Sequence, residues 1–550
     1  MRIKELLNEL SEKGVKLWAD GEQLRIRAPK GVLTAERKEA IAKHKPEILW
    51  RLRQNNFDSS IAALPVIVPE PDKRYEPFPL TDIQYAFWVG RMGVLELGDV
   101  ANHGYYEIGT KDLDLNRLNS ALNKLIQRHD MLRAIMLPEG LQQVFETVPP
   151  YEISVLDLRG KDDSFVEAQI QEIRATMSHQ VLPTDKWPLF EFRATVWDEG
   201  RAKLHVSYDL QIFDAWSMMR LFEEWFEVYQ NLDVRLKPLE LTFRDYVLAE
   251  QRLLDSELYE TSKQYWLNRI ENLPPAPELP LAINPSSLKD YECQRFSAQL
   301  DKATWQQLKQ RAGEVGLTPS AVLLAAFAEV LAFWSKSSKF TMNLALFNRV
   351  PLHPQVNDIL GDFTSVTLLA VDNSATETFT DRALRLQRQL WQDLEHRYFS
   401  GVRVMREINR RQGRTPTAMP VVFTSAIGFD ALGQETSSLF KFGELEYAIS
   451  QASQVWMDCQ VSEQNGNLAF TWDAVAALFP EGMVGDMFEA FYGIVKNLAA
   501  PPPAPLEKGG VSVPVWGETT RQHMIPSSQL LQRSDINATQ MSVADETLFG

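Results

Sequence analysis

The run from Leu204 to Ser217 constrains the fold of this chain more than any other stretch. Leu204, Val206, Tyr208 and Leu210 alternate with Lys203, His205, Ser207 and Asp209, the period of a strand with one apolar and one polar face. From Trp216 the apolar residues Met218, Met219, Leu221, Phe222, Trp225 and Phe226 return every three or four positions, so a helix begins there with Asp214 or Ser217 at its N-terminus. The strand is read as running into a polar site, with Asp209 and Asp214 on either side of a strand-to-helix turn. A carboxylate at such a turn either caps the helix and meets an arginine, or does chemistry, and the residue types alone leave both open. A triad of His205, Ser207 and Asp209 is excluded by geometry, because residues two apart on one strand face stand ~6.5–7 Å apart, beyond hydrogen-bond reach.

The spacing Asp209-x4-Asp214-x2-Ser217 resembles the signature of heterocyclisation domains of nonribosomal peptide synthetases, where it replaces the HHxxxDG motif of ordinary condensation domains. At the place of that motif's second histidine stands Leu210, so no general base sits there. Further strings are similar to the family's motifs in the family's order. Phe78-Pro79-Leu80-Thr81 through Gly90-Arg91 matches FPLTxxQxAYxxGR, Arg128 to Ala134 matches RHxMLRA, and Leu273 to Leu281 matches LPxxPxLPL. Then come Phe340 to Arg349, Leu352 to Asn357, Gly361 to Ser365, Val421 to Ser425, Gln454 to Asp458, and Trp472-Asp473 with Leu478-Phe479-Pro480. The resemblance implies an α/β (α+β) fold: two chloramphenicol-acetyltransferase-like lobes in a V-shaped pseudodimer, over residues 77–282 and 283–500.

Before Phe78 the chain has a different character. Ile3, Leu6, Leu7 and Leu10 have helical spacing that Gly14 ends, and Val15 to Trp18 and Leu24 to Arg27 alternate around an Asp20-Gly21 turn. Thr34 then caps one helix and Pro46 opens another, giving the order αββαα within residues 1–56. This wording resembles TubC-type N-terminal docking domains of synthetase subunits. It implies that the second strand offers its edge to the C-terminal tail of an upstream subunit, by strand addition through Leu24, Arg25, Ile26 and Arg27 with Lys16 alongside. Residues 1–54 hold thirteen Lys or Arg against eight Asp or Glu, on a chain whose net charge is −16, so the expected tail is acidic. The alternative is that these basic residues are a solvated strand face. Nucleic acid is not expected, since the acidic remainder would repel it. Residues 57–76, with Pro65, Pro69 and Pro71 and no period, read as a linker, as does the Pro501 to Pro505 run. The tail over 501–550 resembles the approach to an adenylation domain, as if cut from a longer subunit.

No apolar run reaches eighteen residues and the N-terminus carries charges, so a soluble cytoplasmic protein without membrane contact is expected. Two cysteines, Cys293 and Cys459, and eight scattered histidines give no basis for a metal site or a disulfide framework. Cys459, beside Asp458, is read as packed rather than nucleophilic. His129, flanked by Arg128 and Arg133, is read as packing at a helix end, and the aromatic helix after Thr81 as core.

Closing a thiazoline or oxazoline ring requires a group that takes one proton and returns another, and a buried carboxyl does both. By position, the resemblance makes Asp458 the catalytic aspartate and Thr424 the hydroxyl that works with it, while Asn348 and Gln454 are expected to hold the amide and stabilise its oxygen. Asp209, Asp214 and Ser217 are expected to orient the tunnel floor by pairing with an arginine, with Arg349 the candidate. No cofactor is expected on the domain itself; phosphopantetheine arrives on donor and acceptor carrier domains. The family's QTPQVWLD reads here Gln451-Ala452-Ser453-Gln454 with Cys459 after Asp458, which removes the Thr-Pro constraint and leads us to expect altered or slower cyclisation. Two rival readings are condensation without ring closure and a non-catalytic docking scaffold.

Overall fold

The computed structural model describes residues 15–20, 23–28, 33–34, 37–38, 40–41, 48, 64, 66–91, 97, 101–288, 291–412, 418–428 and 441–500. The expected helix from Ile3 to Leu10, the turn at 21–22, the helix start at Pro46 and the tail from 501 lie outside the described residues. Near the N-terminus β1 (Lys16–Asp20) and β2 (Gln23–Arg27) pair antiparallel, with Lys16 opposite Arg27, Trp18 opposite Arg25 and Ala19 opposite Leu24. Ile26 is exposed, and no third strand covers the pair among the described residues. Thr34 accepts the N–H of Arg37 on its hydroxyl at 3.3 Å, as a helix cap does.

The second part of the expected linker is not free. Ile67 N–H donates to the carbonyl of Leu352 at 3.4 Å, Glu70 N–H to the carboxylate of Asp245 at 3.2 Å, and Arg244 meets Glu76 at 2.9 Å. Alternation of buried Ile67 with exposed Val66 and Val68 is the pattern the prolines obscured.

The first half runs β3 (Phe78–Pro79), α1 (Asp82–Gly90), β4 (His103–Lys111), α2 (Leu115–Arg128), β5 (Ala134–Leu137), β6 (Leu141–Val144), β7 (Ser154–Asp157), α3 (Asp163–Met177), β8 (Phe190–Val196), β9 (Arg201–Asp209), α4 (Ala215–Gln230), α5 (Phe243–Arg252) and α6 (Glu257–Leu267). The second runs β10 (Gln294–Leu300), α7 (Lys302–Glu314), α8 (Pro319–Trp334), β11 (Lys339–Phe347), β12 (Thr364–Asp372), α9 (Phe379–Glu395), α10 (Gly401–Gln412), β13 (Val421–Ala426), β14 (Glu444–Gln451), β15 (Met457–Gln464), β16 (Asn467–Ala474) and α11 (Met483–Ala499). Between the halves the proline-rich crossover lies along β11, where Thr341 donates to the carbonyls of Pro274 and Pro275, both at 2.7 Å.

One sheet has the order β14-β4-β9-β8-β7, the other β10-β16-β15-β13-β11-β12, and a small sheet has the order β3-β6-β5. Strand β14, from the second half, thus joins the sheet of the first, antiparallel to β4. Phe442, just before β14, sits among Phe222, Trp225, Phe226 and Tyr229 with ring centroids 5.3–6.1 Å apart. Helix α8, apolar nearly all round, is buried from Ala321 to Trp334, as its composition requires.

The polar face of β9 differs from the reading as a strand that runs into a polar site. Lys203, His205, Ser207 and Asp209 are all buried and paired, Lys203 also with Glu446 of β14 from the second half at 2.8 Å. Glu107 meets Lys203 at 3.1 Å and Arg174 at 2.6 Å, His205 Nδ1 lies 2.8 Å from the Tyr105 hydroxyl, and His103 Nε2 lies 2.8 Å from Ser207 Oγ. A neighbouring strand supplies the partners, which the period of β9 alone does not reveal. His129 ends α2, with Nε2 2.9 Å from Glu224.

Candidate active site

A cavity of about 630 Å³ opens between Tyr85, Phe87 and Val89 of α1, Leu210, Met405 and Arg406 of α10, the 451–455 loop, and strands of the second sheet carrying Asn343, Val422, Thr424 and Asp458. The aromatic helix expected to be core therefore forms a cavity wall: Thr81 and Gln84 close a capping box, Ile83, Gln84 and Gly90 are buried, and Tyr85 is exposed. Leu210 lines the cavity where the related motif would carry histidine, so no basic side chain stands at that position.

The opposite wall is built by strand register. Arg295 of β10 stands opposite Asp473 of β16, Asp473 opposite Asp458 of β15, Asp458 opposite Val422 of β13, and Val422 opposite Asn343 of β11. Two residues along, Gln460 is opposite Thr424. The hairpin turn at Asn465 and Gly466, both with positive φ (52° and 82°), fixes the β15–β16 register that brings Asp473 beside Asp458.

Thr424 donates its hydroxyl proton to Asp458 Oδ1 at 3.0 Å, and Gln460 Nε2 donates to Asp458 Oδ2 at 2.8 Å. Burial first, and the neighbouring Asp473 carboxylate second, push the Asp458 carboxyl up to about 7, against the pull of Gln460, Thr424 and Arg295. A carboxyl titrating near neutrality exchanges protons in either direction. Cys459 is buried and its thiol is pushed up by burial and by Asp458, so it carries no thiolate.

Gln454 also reaches the cavity, from a left-handed backbone position (φ 62°). Its Oε1 accepts the N–H of Leu97 at 3.4 Å, and its Nε2 has no protein partner. Asn348 is not brought to this cavity. It lies past the end of β11 and lines a separate pocket of about 90 Å³ with Tyr246, Glu250 and Asp362. Asn343 and Ala345 of β11 line the larger cavity, and Asn343 is the asparagine there: its Nδ2 donates to Met419 O at 2.6 Å and its Oδ1 is unpartnered. Alternation along β11 was the signal that separates the two asparagines.

The strand-to-helix turn is held by a helix cap and an arginine. Asp214 accepts the N–H of Ser217 at 2.8 Å as the cap of α4, and Arg349 reaches Asp214 at 3.0 Å and Ser217 Oγ at 2.7 Å. Asp209 pairs with Arg91, from the end of the first motif, and not with Arg349. In place of Thr-Pro, the 452–455 loop is held by Ser453 N–H on Asn102 Oδ1 at 2.8 Å and by Val455 N–H on Ala452 O at 3.3 Å. Lys16, Leu24, Arg25 and Arg27 are placed by backbone register within the β1–β2 pair, apart from this site.

Among known proteins, the chain matches the condensation domain family over residues 77–511 and the TubC N-terminal docking domain family over residues 3–54. A solved structure, the EpoB cyclization-docking bidomain of Sorangium cellulosum, is 41% identical and superposes with a TM-score of 0.75, covering 91% of this chain and 98% of its own. Pyochelin synthetase PchF of Pseudomonas aeruginosa is 38% identical over 509 residues, 92% of this chain, and phenyloxazoline synthase MbtB of Mycolicibacterium paratuberculosis is 36% identical over 424 residues, 76% of this chain. The chain spans 27% of the length of the first and 36% of the second. With register, cavity and sequence all in agreement, this chain belongs to the heterocyclisation branch of the condensation-domain family, preceded by a TubC-type docking domain.

Proposed function

We propose that this chain joins a carrier-bound acyl donor to a carrier-bound cysteine, serine or threonine and then closes the new amide to a thiazoline or oxazoline. The observation that carries this reading is Asp458, raised to about 7 and held by Thr424 at 3.0 Å on the wall of a cavity large enough for both acyl groups. In the first step the free α-amine attacks the donor thioester carbonyl, and the donor carrier's phosphopantetheine thiol leaves. In the second, the side-chain thiol or hydroxyl attacks the amide carbonyl while Asp458 takes its proton. Asp458 returns that proton to the carbonyl oxygen, giving a ring that bears a hydroxyl, then takes the ring N–H proton and passes it to the same oxygen; the C–O bond breaks as C=N forms, one water leaves and the carboxylate is restored. Thr424 holds the carboxyl in line. Gln454 Nε2 is a free donor for the carbonyl oxygen, and Asn343 Oδ1 a free acceptor for an N–H of the substrate. Asn348 stands outside these steps.

The docking domain takes the acidic C-terminal tail of an upstream subunit along β2, with Lys16, Arg25 and Arg27 selecting its charge. Donor and acceptor carriers and a following adenylation domain complete the assembly, in the cytoplasm.

Intact-mass analysis of product from this protein with an acyl-loaded donor carrier and a cysteinyl-loaded acceptor carrier tests the reading. Loss of one water relative to the amide is expected, and Asp458→Ala lowers the cyclised fraction by roughly 10²–10⁴-fold while amide still accumulates. An amide that never loses water from the unaltered protein sinks heterocyclisation in favour of plain condensation. Absence of any product leaves the docking scaffold.

A further inference from the structure

The row of opposed residues across the second sheet does not stop at Asp458. Arg295 Nε donates to Asp473 Oδ1 at 2.6 Å, and a second guanidinium nitrogen reaches Asp473 Oδ2. The same Oδ2 receives the Ser450 hydroxyl at 2.7 Å and Gln460 Nε2 at 3.2 Å, and Gln460 also holds Asp458 Oδ2 at 2.8 Å. Ser450 stands on β14, so this cluster binds the crossing strand to the sheet that carries the reacting carboxyl. From these contacts we infer that Arg295, acting through Asp473 and Gln460, is a positioning residue that sets the protonation of Asp458 for the ring-closing step.

Two carboxyls on adjacent strands, directly opposite each other and both screened from bulk water, repel when both are ionised. Arg295 neutralises the farther one from its outer side. Without the guanidinium, Asp473 presents an uncompensated negative charge to Asp458, and Asp458 holds its proton more tightly. Without the Asp473 carboxylate the repulsion disappears and Asp458 releases its proton more easily. The two changes therefore act in opposite directions on one group. The other titratable side chains facing this cluster are Cys293, its thiol pushed up to about 12 by burial and then by Asp473, and Cys459, Tyr106, Tyr208 and Tyr447, each raised first by burial. None of them ionises near neutrality.

This inference rests on the reading of Asp458 as the proton acceptor of cyclodehydration. Its test is the pH profile of the cyclised-to-amide product ratio, measured by mass for the unaltered protein, Arg295→Gln, Arg295→Lys and Asp473→Asn. Ring closure that needs ionised Asp458 rises with pH through its pKa. The rising limb is expected to move to higher pH in Arg295→Gln by about one unit or more, to lower pH in Asp473→Asn, and to stay near its original place in Arg295→Lys. Limbs that stay in place, or that move the same way in Arg295→Gln and Asp473→Asn, overturn the inference while leaving cyclodehydration established. An unaltered protein that makes amide alone overturns the underlying reading instead. Should Arg295→Gln fail to fold, the displacement of Asp473→Asn to lower pH decides.

Discussion

At the scale of single residues, chemistry and stability pull Asp458 in opposite directions. A carboxyl raised from 3.8 to about 7 in the folded state binds its proton more tightly there than in the unfolded chain. Its contribution to stability is greatest below 3.8 and falls as pH rises through about 7. Asparagine at this position keeps the shape and accepts the Thr424 hydroxyl proton without ever ionising. The melting temperature of Asp458→Asn, relative to the unaltered protein, is therefore expected to rise from pH 4 to pH 7 and level off above, as thermal scans across that range would register. A difference that stays flat with pH would show that the folded protein does not disfavour this charge. Legibility in the sequence divides here too. Asp458, Thr424, Asp214 and Ser217 were readable because each occupies a fixed place in a motif. Asn343 and Arg295 were not, because their importance comes from partners on other strands. A single alternating strand specifies two faces and never says which of them meets a cavity.

Between residues and lobes lie the elements, and here the contact between α1 and the 452–455 loop is the most exacting. A Cβ on Gly90 would stand 2.2 Å from Ser453 Oγ and 2.8 Å from Ser453 Cβ. Gly90 has an ordinary helical conformation, so alanine would otherwise favour the helix by ~1 kcal/mol. Gly90→Ala is expected to push the loop, and Gln454 with it, away from the cavity, lowering cyclisation rate and thermal stability together. Ser453→Gly in the same chain removes the clashing atoms and should recover most of both losses; a double variant no better than the single one would locate the damage elsewhere. The helix itself was legible from Thr81 to Gly90. Its role as a wall was not, since an aromatic amphipathic pattern is the same whether its partner is a core or a bound acyl group. The Asn465-Gly466 hairpin is the opposite case: a two-residue turn signal in the sequence whose register consequence is Asp473 beside Asp458.

For the whole molecule, the order of the halves was legible from the crossover prolines and the recurrence of strands and helices, while the exchange between them was not. Strand β14 completes the first sheet, and Phe442 fills the first core together with Val350, Leu352 and Phe363 from the second half. Neither lobe buries its apolar surface without pieces of the other. Calorimetry is therefore expected to show one unfolding transition for the two lobes, and two resolved transitions would refute that coupling. The same exchange bears on how such synthetases can be recombined. A chimaera joined at the proline crossover looks like a swap of complete units, yet it would force a foreign β14 onto the resident β4 and a foreign Phe442 into the resident aromatic cage. The loop bearing Gln454 leads from that strand to Asp458, so a mismatch at the graft would be delivered straight to the reacting carboxyl. The transplantable part is the pair of lobes together.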